Sequence, residues 1–158
     1  MKIIEADVLD ADLVGYIHST AWKQAYMDMF PIEYLEADTP DIRAREFRES
    51  YMDKGIHYYL IYEDEMVVGI VKVILKENKV CEISSLYILA EYRNKGYGKQ
   101  VVAYLRNVLH QDKIYLWVLE ENLKARRFYE NNGFNLTGKT KKINRGKYFT
   151  QLQYMNDK

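Results

Sequence analysis

A short glycine-containing segment, residues 93–98, lies between an apolar strand-like run and a helix-like run, and this order restricts the folds open to the chain. The run before it covers residues 80–89, and the run after it repeats apolar side chains at helical spacing through about residue 110. Another apolar strand-like run follows, residues 114–119. A strand, a helix and a strand in this order form a crossover, which pairs its strands in parallel and is almost always right-handed. The sequence therefore predicts an α/β domain with a parallel pair of strands.

The segment itself, Arg93-Asn94-Lys95-Gly96-Tyr97-Gly98, has the features of a phosphate-binding loop. Glycine lets a ligand approach the backbone closely, and the first amides of a helix lack internal partners and carry the positive end of the helix dipole. Arg93, Lys95 and the following Lys99 add positive charge. Gly-x-Gly also marks ordinary turns, so this segment alone leaves both interpretations open.

The remaining runs predict one domain, residues 1–158, built on a mixed and mostly antiparallel sheet. About seven strands are expected from the apolar and β-branched runs, at residues 1–6, 57–62, 66–75, 80–89, 114–119, from 134 onward and 147–155. About four helices are expected from helical spacing, caps and stops, at residues 10–30, 40–52, 98–110 and 122–131. The polar connections 63–65 and 76–79 are of hairpin length, which favours an antiparallel meander in the middle of the sheet. No repeat or Pro/Gly-rich linker indicates a second domain.

Charge and composition exclude several classes of function. The 23 basic and 23 acidic residues balance, so no overall field attracts nucleic acid or an anionic membrane surface. No apolar stretch approaches the roughly 20 residues that cross a bilayer, and the first residues lack the layout of a signal peptide. We therefore expect a cytoplasmic protein that binds neither nucleic acid nor membrane.

The residues that bind metals or form disulfides are sparse. Cys81 is the only cysteine, so an internal disulfide and a cysteine-based metal site are excluded, and its place in a strand-like run indicates a buried structural thiol. His18, His57 and His110 are scattered without the spacing of metal ligands. We predict no metal.

A second motif follows the crossover. Asn122, Ala125 and Tyr129 are separated by three and four residues, so they line one face of the predicted helix and can face one ligand. A simpler interpretation makes Asn122 a helix cap and Tyr129 a core aromatic with a satisfied hydroxyl group.

Taken together, Leu86-Tyr87-Ile88, Arg93-x-x-Gly96-x-Gly98 and Asn122-x-x-Ala125-x-x-x-Tyr129-x-x-x-Gly133-Phe134 resemble the GCN5-related N-acetyltransferase (GNAT) family. The order of elements matches over nearly the whole chain. Asn94 stands where members often have glycine, but asparagine tolerates left-handed backbone angles better than most residues. Ala90 replaces a frequent proline. The resemblance implies a single-domain GNAT fold in which the two parallel strands splay apart.

The resemblance also implies acetyl-coenzyme A as cosubstrate. Its diphosphate would lie against the amides of residues 94–99, with Arg93 ordering the loop. Its pantetheine arm would lie in the gap between the parallel strands, hydrogen-bonded to the backbone of Leu86, Tyr87 and Ile88. Asn122 would contact this arm, and the small Ala125 would permit close approach.

Acetyl transfer needs a neutral amine, a stabilised oxyanion and a proton for the departing thiolate. By resemblance Tyr129 would deliver that proton, and a backbone amide near Ile88 would meet the oxyanion. An alkyl ammonium has a pKa of about 10.4, so a base must take its proton at neutral pH. We predict Glu82 for this role because it lies on the cofactor strand and alternates with Ser84, which would place both on the acceptor side. A solvent-facing glutamate with water as the base is the alternative.

The acceptor should be recognised by the segments that are least like the family. Trp22, Tyr26 and Phe30 recur every four residues, as either core packing or the wall of an amine site, with Glu33 as a cation partner. Residues 139–147 contain five basic side chains, which form either a solvated loop or a contact with an anionic substrate or cofactor.

The sequence therefore predicts an acetyl-CoA-dependent N-acetyltransferase that acts by direct attack on a primary amine of a small molecule. Two alternatives remain. One is acetylation of a protein N-terminus or lysine, and the other is a non-catalytic acyl-CoA sensor, against which the intact Asn122 and Tyr129 argue. Exposed strand edges and many tyrosines are compatible with a homodimer.

Overall fold

A single seven-stranded sheet, with helices on both faces, organises the computed structural model, which describes residues 1–157. The helices are α1 (Ala11–Tyr26), α2 (Ile32–Ala37), α3 (Pro40–Ser50), α4 (Tyr97–Asn107) and α5 (Leu123–Asn131). The strands are β1 (Lys2–Glu5), β2 (Ile56–Glu63), β3 (Met66–Leu75), β4 (Val80–Ile88), β5 (Lys113–Leu119), β6 (Asn135–Asn144) and β7 (Tyr148–Asp157). Their spatial order is β1-β2-β3-β4-β5-β7-β6, and only β4 and β5 pair in parallel. The predicted fold class is confirmed.

Each face of the sheet buries its own apolar layer. One layer packs against α4 and α5 and includes Val101, Leu105 and Phe134, all buried. The other packs against α1 and α3, where Val14 and Phe47 are buried. Within the described residues no helix combines the length and the apolar character needed to cross a membrane.

The parallel pair separates soon after it begins. β4 and β5 are paired at only three positions, the last of which joins Glu82 to Tyr115. Beyond that point β4 continues along β3 through Ile88, and β5 continues along β7 through Leu119. The predicted splay is therefore present, and it opens a gap at the carboxyl ends of the two strands, where open α/β sheets bind ligands.

A bulge in β4 changes the predicted alternation of side chains. Lys72 of β3 pairs with Ser85 and Val73 pairs with Ile83, so Ser84 is the extra residue. Ile83 and Leu86 consequently both pack in the α4/α5 layer although they are three residues apart. The even-numbered pattern that linked Glu82 to Ser84 does not continue past the bulge.

The sequence prediction did not include α2. Pro31 precedes this six-residue helix, with backbone angles of φ −57° and ψ 145°. Proline cannot continue the hydrogen bonding of a preceding helix, and one turn and a half is too short to show apolar periodicity. As a result the chain reverses after α1, and α3 returns to pack against it.

Candidate active site

The glycine loop enters α4 through a left-handed turn. Gly96 has φ +85° and Asn94 has φ +64°, so the asparagine adopts the conformation that its side chain tolerates. A Cβ added to Gly96 would meet no atom within 4 Å. The first helical hydrogen bond runs from the Gln100 N–H to the Gly96 carbonyl, so the earlier amides of α4 have no helical partner. Open space in front of unpaired amides fits an anionic group.

Two further contacts hold this loop in place. The Arg93 Nε donates a hydrogen bond to the Ile88 carbonyl at 3.2 Å, which ties the loop to the end of β4. A Cβ added to Gly98 would lie 2.6 Å from the Phe128 ring, so this glycine lets α5 pack closely on α4. The Lys95 ammonium lies 5.0 Å from the centre of the Tyr92 ring. The loop is thus fixed against both the strand and the helix of the second motif.

Residues 86–88 form the part of β4 that faces the gap. Leu86 and Ile88 pack toward α4 and α5, whereas Tyr87 packs toward α1. The ring of Tyr87 lies 5.8 Å from that of His18 and 5.9 Å from that of Tyr26. This segment therefore borders both layers, with its backbone beyond the last β5 pairing.

Helix α5 carries the second motif and packs beside the glycine loop, where Phe128 lies against Gly98. The Asn122 side chain accepts a hydrogen bond from the Ala125 N–H at 3.2 Å and caps the helix, and its amide group still carries two N–H donors. Tyr129 is buried between the rings of Phe128 and Phe134. Cap and core roles are therefore present, and neither prevents contact with a ligand.

Three largely buried tyrosines, Tyr26, Tyr87 and Tyr129, interact with one another. Burial raises the pKa of Tyr129, and the neighbouring Tyr26 raises it further. The hydroxyl oxygens of Tyr26 and Tyr87 are 3.5 Å apart. Burial likewise raises the pKa of Tyr87, with contributions from Tyr26 and Tyr129. All three hydroxyls are protonated at neutral pH.

A cavity of about 450 Å³ opens on the α1/α3 face beside these hydroxyls. It is lined by Trp22, Tyr26, Phe30, Tyr34, Ala37, Asp38, Ile42, Arg43, Glu46, Lys72, Ser84, Ser85, Tyr87, Trp117, Leu119, Ile143, Arg145 and Gln151. Trp22, Tyr26 and Phe30 form its aromatic wall, with Tyr26 and Phe30 stacked at 4.4 Å. The two interpretations of this stripe are compatible, because Trp22 and Phe30 are buried in a core cluster and also line the cavity.

Charged side chains from α3 and β3 complete the wall, and the sequence prediction missed them. The Arg43 Nε lies 2.7 Å from a carboxylate oxygen of Asp38, and the Arg43 Nη1 lies 3.4 Å from a carboxylate oxygen of Glu46. The Lys72 ammonium lies 3.9 Å from the same Glu46 oxygen. The i, i+3 spacing of Arg43 and Glu46 was a readable signal, since it places both on one side of the helix.

Comparison with known families decides the assignment. A sequence model of the Acetyltransferase (GNAT) family matches residues 19–134, more than half of the chain. The chain belongs to the GNAT family. Acetyltransferase PseH of Campylobacter jejuni is 27% identical over 96 residues, which cover 58% of this chain and 59% of PseH. The chain thus matches about three fifths of the length of that relative.

Other relatives match more of the chain. The uncharacterized N-acetyltransferase YuaI of Bacillus subtilis is 24% identical over 131 residues, covering 77% of this chain and 73% of YuaI. The PaiA N-acetyltransferase of Thermoplasma acidophilum, solved in complex with coenzyme A, superimposes with a TM-score of 0.74 at 19% identity over 99% of this chain and 98% of that one. The F149A mutant of the spermidine N-acetyltransferase SpeG of Vibrio cholerae gives a TM-score of 0.72 at 18% identity over 99% and 95%. These structures share the GNAT fold.

Two predicted site residues, Glu33 and Glu82, lie away from the cavity, whereas Cys81 is buried as predicted. Glu33 lies on the exposed side of α2 and does not line the cavity. The chain turns at Pro31, so the helical spacing of Trp22, Tyr26 and Phe30 does not extend to Glu33. Glu82 also lies outside the lining, with its carboxylate 3.5 Å from the Tyr115 hydroxyl. Cys81 is fully buried, and burial raises its pKa to about 11, which disfavours the thiolate.

Proposed function

We propose that this chain is an acetyl-CoA-dependent N-acetyltransferase that transfers the acetyl group to a primary amine of a small molecule. The observation that carries the proposal is the gap between β4 and β5, which has the glycine loop at one side and the aromatic cavity at the other. Tyr129 would act between the two, which its electrostatic interaction with Tyr26 of the cavity wall supports. Such an arrangement allows donor and acceptor to be bound at the same time.

The donor would be held mainly by backbone. The amides of residues 94–99 would meet its diphosphate, and the free edge of residues 86–88 would hydrogen-bond its pantetheine arm. Arg93, which is bonded to the Ile88 carbonyl, would keep these two segments together. The PaiA structure contains coenzyme A and shares this fold, which supports the same donor here.

Direct attack in a ternary complex suffices for the chemistry. The amine nitrogen attacks the thioester carbonyl, the nitrogen loses a proton, the C–S bond breaks, and the sulfur leaves with a proton as the free thiol of coenzyme A. Tyr129 is the proposed source of the thiol proton, because its hydroxyl group is protonated at neutral pH, and the proton released by the amine nitrogen would restore it. Glu82 remains the predicted base, acting through water because its carboxylate does not line the cavity.

The shape of the cavity favours a small acceptor. A volume of about 450 Å³ lies within the range of small-molecule sites, and aromatic rings wall it. A protein lysine or N-terminus would need an open groove that binds an extended strand.

Release of free coenzyme A thiol across a panel of amines tests the proposal. We expect turnover with at least one small primary amine and little with lysine-containing peptides. Tight binding of acetyl-CoA without turnover of any amine would instead indicate an acyl-CoA sensor. Preferred turnover of peptides would indicate a protein acetyltransferase.

A further inference from the structure

The acceptor cavity has two electrically different ends. At the α3 end, two acids and two cations, Asp38, Arg43, Glu46 and Lys72, form one network of ion pairs. The Glu46 oxygen also accepts a hydrogen bond from the Tyr58 hydroxyl at 3.4 Å. Formal charge is therefore balanced at this end, although the Asp38 Oδ1 is buried and accepts no hydrogen bond among residues 1–157.

The β6–β7 end carries only positive charge. Residues 131–156 contain five basic side chains, Lys139, Lys141, Lys142, Arg145 and Lys147, and no acidic one. None of the five forms an ion pair among residues 1–157. The Lys141 ammonium lies 4.3 Å from the centre of the Trp117 ring, which lines the cavity. Cation–π contact places the charge but leaves it unneutralised.

Arg145 is the basic residue that reaches the cavity itself. The turn that carries it packs against α2, because a Cβ on Gly146 would lie 2.9 Å from Pro31 and 3.0 Å from Tyr34. Among residues 1–157, the Arg145 Nη1 donates a hydrogen bond to the neighbouring Asn144 carbonyl. A guanidinium has five N–H donors, so further donors are available to a ligand. Arg145 and Tyr26 both line the cavity; burial raises the pKa of Tyr26, and the Tyr87 hydrogen bond and the charges of Arg145 and Arg43 oppose that rise.

The hairpin alternates between two environments. Lys141 and Ile143 lie on the cavity side, since Lys141 covers Trp117 and Ile143 lines the cavity. Lys142 lies between them on β6 and therefore points to the opposite face. Lys141 is therefore placed to contact an acceptor in the cavity, and Lys142 is not.

We propose that the acceptor is an amine that also carries an anionic group, a carboxylate or a phosphate, which Arg145 and Lys141 bind at the β6–β7 end of the cavity. This inference rests on the proposed N-acetyltransferase function and names its substrate class. With the anion held there, the amine extends past Tyr26 toward the gap at Tyr129. A polyamine is disfavoured, because its second cation would meet Arg145 and Lys141 without an acid beside them.

Matched acceptors that differ by one anionic group provide the test. Tyramine is compared with tyrosine for the carboxylate, and glucosamine with glucosamine 6-phosphate for the phosphate, with spermidine as the polycation. In at least one pair, we expect the member with the anionic group to have a kcat/KM about tenfold to a hundredfold above the member that lacks it. This is the range of a hydrogen bond to a charged group. Spermidine should be the poorest acceptor.

Two charge-removing variants locate the effect. Arg145→Gln should raise the KM for the acceptor with the anionic group, until its kcat/KM approaches that of the acceptor without this group. The kcat and the KM for acetyl-CoA should stay unchanged. Lys142→Gln removes the same charge from the same hairpin on the opposite face and should behave as wild type. Calorimetric binding of the preferred anionic acceptor to the coenzyme A complex should weaken only in Arg145→Gln.

Three results would overturn the inference. If the acceptors without an anionic group, or spermidine, are used equally well or better, the proposed acetyltransferase function is retained but an anionic acceptor is ruled out. A raised KM for acetyl-CoA in Arg145→Gln would assign the hairpin to the donor instead. Absence of transfer to every amine, with acetyl-CoA bound, would reject the proposed function itself.

Discussion

The donor and acceptor sides of this molecule are built by different means. The proposed donor side consists of two nearly adjacent segments, residues 86–88 and 93–99, together with one face of α5, and it would offer mainly backbone groups. The acceptor side draws side chains from three helices and five strands around one cavity. One side is therefore specified locally and the other only by the complete fold.

This difference bears on how each side can be changed. A backbone site needs little from the sequence except residues that leave the backbone accessible, so one glycine can be decisive. A side-chain site distributes its contacts, and each substitution alters one part of it. We therefore expect donor-side variants to have the larger effects and acceptor-side variants to change preference among amines.

Gly96→Val should have the largest effect on donor binding. A branched side chain at φ +85° is strained, and its Cβ would occupy open space at the N-cap of α4. We expect the Kd for acetyl-CoA, measured by calorimetry, to rise by about 100-fold, which corresponds to roughly 2.7 kcal/mol.

Gly138→Val provides the matched control for this variant. Gly138 has φ +90° and also has no atom within 4 Å of an added Cβ, but it lies on β6, away from the loop. It should lose similar stability and keep the wild-type Kd. Equal Kd values for Gly96→Val and wild type would contradict the donor assignment.

Tyr129→Phe should reduce turnover by about 100-fold, the lower range for loss of a general acid, and change the KM for acetyl-CoA little. The ring is retained, so packing against Phe128 and Phe134 should persist. Tyr59→Phe removes a hydroxyl from another buried tyrosine of the same core cluster and should leave kcat unchanged. Similar losses of kcat in both variants would indicate a structural effect and not proton transfer.

The same contrast explains how far the sequence could be interpreted. The loop at 93–98, the cap at Asn122 and the strand–helix–strand order are contiguous patterns with local physical causes, and the fold prediction made from them was confirmed. Pairing of Glu46 with Lys72, in contrast, joins α3 to β3 and depends on how the helix packs on the sheet. The bulge at Ser84 depends on the pairing of β3 with β4, which residue spacing alone does not reveal.

Glu82→Gln tests whether Glu82 is the catalytic base, although its carboxylate lies outside the acceptor cavity. Because its carboxylate lies outside the cavity, we expect a moderate fall in kcat/KM, about tenfold, and loss of the acidic limb of the pH–rate profile. Glu46→Gln is the comparison, since it changes an acid that does line the cavity; it should alter the acceptor KM and keep the limb. If Glu46→Gln removes the limb instead, the base is part of the acceptor wall. An unaltered limb in both variants leaves water as the base.

Cys81→Ala should have the smallest effect on activity, because Cys81 lies where β4 and β5 are still paired, before the gap opens. We expect kcat to stay within about threefold of wild type, as required if no acetyl group passes through the thiol.

The same variant should change how stability depends on pH. Burial raises the pKa of Cys81 from its ordinary value of 9.0 to about 11, so above pH 9 the unfolded chain releases a proton that the folded chain retains. Stability of the wild type must then fall between pH 9 and pH 11 by an amount that Cys81→Ala does not show, at most about 3 kcal/mol. Urea denaturation of both proteins across this range measures the difference, and the titration of the tyrosines cancels in the comparison. Parallel stability curves would mean that the Cys81 pKa is not raised by folding, and the thiol would then have to be reconsidered as a reactive group.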